Sequence, residues 1–210
     1  MLQTEHFITT DETEVKRLVR ENPWGTFVAN TSQGIVASHY PVLLDNSDTE
    51  GISIVSHVGK PDDQNLELGE REMMLIIQGP HGYVSPGWYD PDDIIPTWNH
   101  VTAHLYGVPE LLSPAENYEV LTRLVDTFEA PMPEPQSIST QEEFTRGVAQ
   151  GTVGLRMRIT RFEARLKLSQ NKSPEVRSNI VNGLRASGPY SQPALADEMA
   201  RVPALSEENL

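Results

Sequence analysis

Apolar residues first recur at helical spacing. Val15, Leu18 and Val19 follow Thr9 and Glu12, a Thr-x-x-Glu capping pair, and Asn22-Pro23 closes the segment. Alternation then takes over. Residues 24–30 and 35–44 read as strands joined through the turn at 31–34, a hairpin, and residues 51–58 read as a third strand. Residues 62–72 are polar and acidic, a loop or a poor helix, and the apolar run 73–77 predicts a strand buried on both faces. Residues 79–96 are dense in Gly and Pro and read as a long loop of the kind that carries function. Residues 97–105 return to strand, with Trp98, His100, Thr102 and His104 on one face and Asn99, Val101, Ala103 and Leu105 on the other. Ser113-Pro114-Ala115-Glu116 opens a helix that presents Leu121, Leu124, Val125 and Phe128 on one side. A proline-rich connector (130–137) leads to a second capping pair, Thr140 and Glu143, and Gly151 stops that helix. Residues 152–168 form a long strand whose apolar parity switches from odd to even, which predicts a bulge near Thr160. Ser173-Pro174-Glu175 opens a last helix through Ile180, Val181 and Leu184. Beyond Gly188 the pattern is weak, with a short helix around 194–201.

Strands mostly follow one another without intervening helices. That order argues for an antiparallel sheet or small closed barrel of six or so strands with helices outside, not a doubly wound fold. A chain of 210 residues suits one domain, taken here as residues 1–187 with a C-terminal tail at 188–210. The absence of Cys excludes disulfides, thiolate nucleophiles and zinc–thiolate sites, and suits a reducing compartment. No apolar run approaches the roughly 18 residues of a spanning helix, and no secretory leader pattern opens the sequence. The expectation is a cytoplasmic protein with no membrane contact.

A net charge of −14 repels phosphate backbones, so broad nucleic-acid binding is disfavoured. The charge is uneven, however. Residues 146–185 hold nine of the sixteen basic residues against only Glu163 and Glu175. This stretch is either a surface balanced by the acidic remainder or a local anion site, for a cofactor phosphate or for DNA.

No nucleophile elbow, phosphate loop or dinucleotide fingerprint occurs, and no side chain stands out as a catalytic acid or base. His100 and His104 have the spacing of helical metal ligands but lie in a strand pattern, where such residues stand too far apart to chelate easily, so no metal is expected. Three segments carry more chemistry: His57-Val58-Gly59-Lys60; residues 79–89 followed by Pro96-Thr97-Trp98-Asn99-His100; and Lys167-Leu168-Ser169-Gln170-Asn171-Lys172. Lys60 and Lys167 can neutralise a phosphate, Trp88 and Trp98 can cover a ring, and Asn99, Gln170 and Asn171 can bond to heterocycle edges. The competing reading makes the tryptophans core and the polar residues loop caps.

These segments resemble the FMN-binding negative transcriptional regulators of the PaiB type. The resemblance runs over about residues 1–185. Its marks are His57-Val58-Gly59-Lys60, the run from Gln78 to Tyr89 with Ser85-Pro86-Gly87-Trp88-Tyr89, Pro96-Thr97-Trp98-Asn99 and Lys167-Leu168-Ser169-Gln170-Asn171-Lys172. It implies a mainly β fold with α-helices, a split β-barrel of the flavin reductase and pyridoxamine-phosphate oxidase group with peripheral helices. It also implies a homodimer with FMN near the subunit interface. On this likeness Ser38-His39 and the segment from His57 to Lys60 meet the ribityl phosphate. Lys167, Gln170 and Asn171 form a second pole, and Ser85, Trp88, Thr97, Trp98 and Asn99 complete the site. The family commonly places an aromatic after Pro-Thr-Trp-Asn, where this chain has His100, and the tail beyond Gly188 lies outside the pattern. The readings that follow are an FMN-binding protein with flavin-dependent redox activity, a regulator acting through DNA or a protein partner, and a haem-binding or haem-degrading barrel that uses spare histidines.

Overall fold

The computed structural model describes residues 4–47 and 50–205. Its elements, in chain order, are β1 (Ile8–Thr9), α1 (Glu12–Glu21), β2 (Trp24–Thr31), β3 (Gly34–Leu44), β4 (Ser53–Gly59), α2 (Asp62–Asn65), β5 (Met73–Val84), β6 (Thr97–Gly107), β7 (Pro109–Leu111), α3 (Pro114–Glu129), α4 (Glu142–Ala149), β8 (Thr152–Arg158), β9 (Arg161–Lys167), α5 (Pro174–Arg185) and α6 (Pro193–Arg201). They gather into two compact units. The larger takes Glu12–Ile77 and His104–Phe162; the smaller takes the chain up to Asp11, Gln78–Ala103 and the chain from Glu163 on.

In the larger unit the strand order is β5-β2-β3-β4-β8-β7, with β5 contributing its first half. Each of these neighbours runs antiparallel to the next. The register places Phe27 opposite Ser38 and Leu75, and Ile54 opposite Leu44 and Met157. Phe27, Val42, Ile54, Leu75, Ile77 and Met157 are fully buried and form the core of this sheet. α1 buries Val15, Leu18 and Val19, as its spacing predicts. Its start differs: Thr9 lies in β1, where its hydroxyl accepts from the Asp11 N–H, so Glu12 opens the helix instead of closing a capping box.

α3 begins with the predicted box, Ser113 with Glu116, but its buried side is displaced. Asn117, Tyr118, Val120 and Leu124 are covered, while Phe128 is exposed. Two polar residues were passed over because their partners come from distant sequence: Asn117 donates to Thr152 Oγ1 (2.9 Å), and the Tyr118 hydroxyl meets Thr145 Oγ1 (2.8 Å). The expected Thr140–Glu143 box is absent too. Thr140 sits in a 3-10 turn and donates to the Ser137 carbonyl, and α4 starts at Glu142 without a side-chain cap.

In the smaller unit the order is β1-β9-β6-β5, with β5 now contributing its second half. β5 does not stop at Ile77. It continues through Gly79-Pro80 to Val84 with alternating burial, so the long loop shrinks to residues 85–96 and the 73–77 run is buried on one face only. The predicted long strand at 152–168 is two strands, β8 and β9, rather than one bulged strand. The parity switch was real, but between them the Ile159 N–H turns to the Ile52 carbonyl and the Thr160 N–H to the Tyr106 carbonyl, which interrupts the ladder. Among the described residues the sheets thus hold nine strands, where the pattern suggested about six. Between Gly188 and Leu205 the chain is tied down: α6 buries Leu195, Ala196 and Met199, and Arg177 of α5 donates to the Met199 and Val202 carbonyls. No helix among the described residues is long and apolar enough to cross a membrane.

Candidate functional site

In the smaller unit, strand parity sorts the predicted residues onto two faces. Along β6, Asn99, Val101 and Ala103 are buried, and Trp98, His100 and Thr102 take the opposite, open side. Along β9, Ala164 and Leu166 face the core, which turns Arg165 and Lys167 the other way. The second half of β5 adds His81 and Tyr83.

The open side carries a run of rings. His81 stacks on Trp98 at 6.0 Å between centroids and accepts from its Nε1 at 3.2 Å; Tyr83 meets Trp98 edge-on at 6.3 Å and Tyr190 at 4.9 Å. Trp98 is 52% exposed. Cations lie beside the rings. The Lys167 ammonium donates to Thr97 Oγ1 and to the Trp98 carbonyl (3.0 Å). Burial, then the neighbouring Arg165, lowers its pKa. His100 hydrogen-bonds Thr102 Oγ1 through Nδ1 (3.0 Å). Burial, and next the charges of Arg165, Lys167 and His81, push its pKa down, so the imidazole is neutral at neutral pH. Arg165 is only 8% exposed. Its contacts are a long hydrogen bond to Thr4 Oγ1 (3.4 Å) and the Phe7 ring at 5.5 Å; its Nε is buried without a partner, and it has no ion pair among the described residues. A buried guanidinium with no carboxylate is costly unless an anion reaches it. Cations next to exposed indole and imidazole rings therefore suit a planar ligand with an anionic arm.

The other residues singled out on these segments are held by the fold. Asn99 is fully buried and exchanges hydrogen bonds with Ser169 Oγ, with Met199 Sδ as a further acceptor. Gln170 caps backbone, accepting from the Leu168 N–H and donating to the Leu166 carbonyl. Ser85 caps the 3-10 turn Pro86–Trp88, and Trp88 lies flat against Gly183 of α5, where an added Cβ would come within 2.3 Å of the indole. Asn171 is exposed and has no side-chain hydrogen bond among the described residues.

The remaining candidates lie in the larger unit. Ser38 and Tyr40 share one side of β3, and both hydroxyls donate to Asp62 Oδ2 at 2.7 Å. Hydrogen bonds from Ser38 and Tyr40 hold the Asp62 carboxyl below its ordinary range, so it is a fixed negative charge beside Ser38. His39 points to the other side of β3 and stacks on Trp24 at 6.4 Å, so the adjacent pair Ser38-His39 is divided between two faces. His57 is half-buried, packs edge-on to Tyr40 at 5.9 Å and has a buried Nδ1 with no partner among the described residues; burial lowers its pKa. Lys60 donates to the Gln150 carbonyl at 2.9 Å. Among the described residues no group of three or more His, Asp or Glu is placed to hold a metal.

Sequence reasoning missed Arg165 and Tyr190. Arg165 was legible: in an alternating strand with Ala164 and Leu166 inward, it shares a side with Lys167. Tyr190 was not, because only the docking of α6 carries it back to Tyr83.

The chain is 28% identical over 183 residues to the protease synthase and sporulation protein PAI 2 of Bacillus subtilis, covering 86% of this chain and 87% of that one. Among solved structures, the FAD and heme binding protein of Mycobacterium smegmatis superposes with a TM-score of 0.58 at 16% identity, covering 87% of this chain and 81% of that one. The flavocytochrome Anf3 of Azotobacter vinelandii gives 0.57 at 14% identity, with 79% and 72% covered. These likenesses establish the split-barrel fold. The profile described as "Putative FMN-binding domain" matches residues 1–161. With that match over most of the chain, the protein belongs to this flavin-binding, PaiB-type split-barrel family.

Proposed function

We propose that the chain binds FMN on the open side of β5, β6 and β9 and uses it as a redox cofactor. The observation that carries this reading is Arg165, buried and without a carboxylate among the described residues, beside Lys167 and the exposed indole of Trp98. A phosphate monoester carries close to two negative charges at neutral pH, which Arg165 and Lys167 together match. Thr97 and the Trp98 carbonyl hold the Lys167 ammonium in place, and Trp98 with His81 offers a flat surface to the ring system. Bound flavin supplies hydride or electron transfer, and the protein supplies binding, orientation and electrostatics. Neutral His100, steadied by Thr102, adds no further positive charge to the site.

The test compares FMN with riboflavin by fluorescence titration. Each charge-assisted hydrogen bond contributes about 1.5–3 kcal/mol, so Lys167→Met and Arg165→Met should each weaken FMN about 10- to 100-fold and leave riboflavin unchanged. Equal affinity of the unsubstituted protein for the two flavins would sink the phosphate assignment.

Haem is the second reading. A neutral imidazole among cations suits an iron porphyrin with two carboxylates, and the two structural neighbours are named for haem or cytochrome. A sharp Soret band on adding haemin, lost in His100→Ala, would favour it.

The working unit in this proposal is a cytoplasmic homodimer. The face of β2 and β3 that carries Trp24, Val28, Ile35, Ala37, His39 and Pro41 holds no Asp, Glu, Lys or Arg, with Trp24 and Ile35 prominently exposed, a surface suited to a second copy. A stable monomer in light scattering would refute that part. Any regulatory role is assigned to flavin sensing or a protein partner rather than to direct DNA reading. The basic stretch is largely neutralised: Arg146 pairs with Glu142, Arg156 with Asp45, Arg161 with Glu72, Lys172 with Asp93 and Arg185 with Asp197.

A further inference from the structure

We infer that the larger unit holds a second small-molecule site, a cavity of about 700 Å³ beside α3, α4 and β8 that takes an organic monocarboxylate with a compact apolar body. The volume is that of a ligand pocket. Leu112, Ala115 and Val153 give it apolar walls, and Lys60 supplies the anchor. One of the three ammonium donors of Lys60 is spent on the Gln150 carbonyl, and no carboxylate pairs with it among the described residues. Arg146 stands at the same cavity over the Tyr118 ring at 4.1 Å, but Glu142 already neutralises it, so the site carries one net positive charge and calls for a monoanion.

The walls are set before any ligand arrives. Thr152 Oγ1 donates to the Ala149 carbonyl, so it must accept from Asn117 Nδ2, which fixes the Asn117 amide and locks α3 to β8. The inference does not depend on where flavin binds. Lys60 enters the resemblance as a phosphate contact, so the experiment must separate the two roles.

Isothermal titration with benzoate, run on the protein with and without saturating FMN, does so. One benzoate should bind in both cases, and acetate, which has the charge without the apolar body, should bind at least 10-fold more weakly. Lys60→Gln should weaken benzoate about 10-fold or more, as expected for a lost charge-assisted bond. Ala115→Trp, at an exposed position of α3, should fill the cavity and abolish benzoate binding with the melting temperature unchanged. Benzoate affinity equal in Lys60→Gln, or no benzoate binding at all, overturns the proposal. Displacement of benzoate by FMN, one for one, overturns it differently, by making the cavity the phosphate pole of the flavin site. Failure of FMN to bind, with benzoate binding intact, would instead count against the flavin reading alone.

Discussion

Replacing Gly183 with Ala tests how Trp88 is used. Gly183 lies inside α5, where Ala is ordinarily worth about 1 kcal/mol more than Gly. Here the added methyl would stand 2.3 Å from Trp88 Cε2 and 2.6 Å from Cδ2 and Nε1. Carbon contacts settle near 3.5–4.0 Å, so the indole would have to retreat by more than about 1 Å. The ring is rigid and hangs from the short turn Pro86–Trp88, which Ser85 caps. Overpacking of this kind costs about 1–3 kcal/mol, so after the helix-propensity gain the net loss is about 0–2 kcal/mol. Urea unfolding followed by circular dichroism would measure it. Trp88→Phe removes the clashing ring, so in that background Gly183→Ala should lose its penalty, and the double-mutant cycle should show coupling of about 1 kcal/mol or more. A stabilised Gly183→Ala variant would refute the argument. The same contact makes a functional prediction: Trp88→Phe should leave FMN affinity within about 3-fold, whereas Trp98→Ala should lower it roughly 10-fold, the worth of one ring contact.

Other perturbations follow from the same geometry. Asp45 has a side chain only 2% exposed and accepts from Arg156 Nε (2.7 Å) and from the Ser47 N–H and hydroxyl; burial raises its pKa, but these bonds outweigh burial and the net shift is downward. Its contribution to stability is therefore full above about pH 4, the unfolded value, and is lost as pH falls through the lower folded value. Arg156→Met should cost about 1–3 kcal/mol at pH 7, the lower part of the range for breaking a buried pair because Arg156 is partly exposed, and the gap from the unsubstituted protein should close in acid. A gap constant from pH 7 to pH 3 would contradict the ion-pair account. Asn99→Ala should cost about 1–3 kcal/mol by stranding the buried Ser169 hydroxyl. It should also speed hydrogen exchange in α6, which Met199 ties to Asn99; unchanged exchange there would disconnect the two.

Much of the architecture was legible because strand parity and helix caps are local. The period of two in residues 97–105 gave both faces of β6 correctly, and the Ser113 and Ser173 caps placed two helix starts to the residue. The odd-to-even switch near Thr160 located the β8–β9 break, though the pattern could not tell a bulge from a change of pairing partner. The Ser-Pro-Gly-Trp-Tyr, Pro-Thr-Trp-Asn and Lys-Leu-Ser-Gln-Asn runs carried the resemblance to the family that the profile match shows.

What only the tertiary structure decided is which polar residues are free to act. Asn99, Gln170 and Lys167 look alike in sequence as donors near a site, yet the first two are consumed by Ser169 and by backbone groups, and only Lys167 lies by the exposed ring of Trp98. Trp88 and Trp98 are equally plausible ring covers until α5 claims one of them. Arg165 becomes informative once its burial without a counter-ion among the described residues is known. Periodicity follows from backbone geometry within a few residues, whereas the availability of a donor depends on partners 70 to 100 positions away, as for Asn99 with Ser169 and Met199.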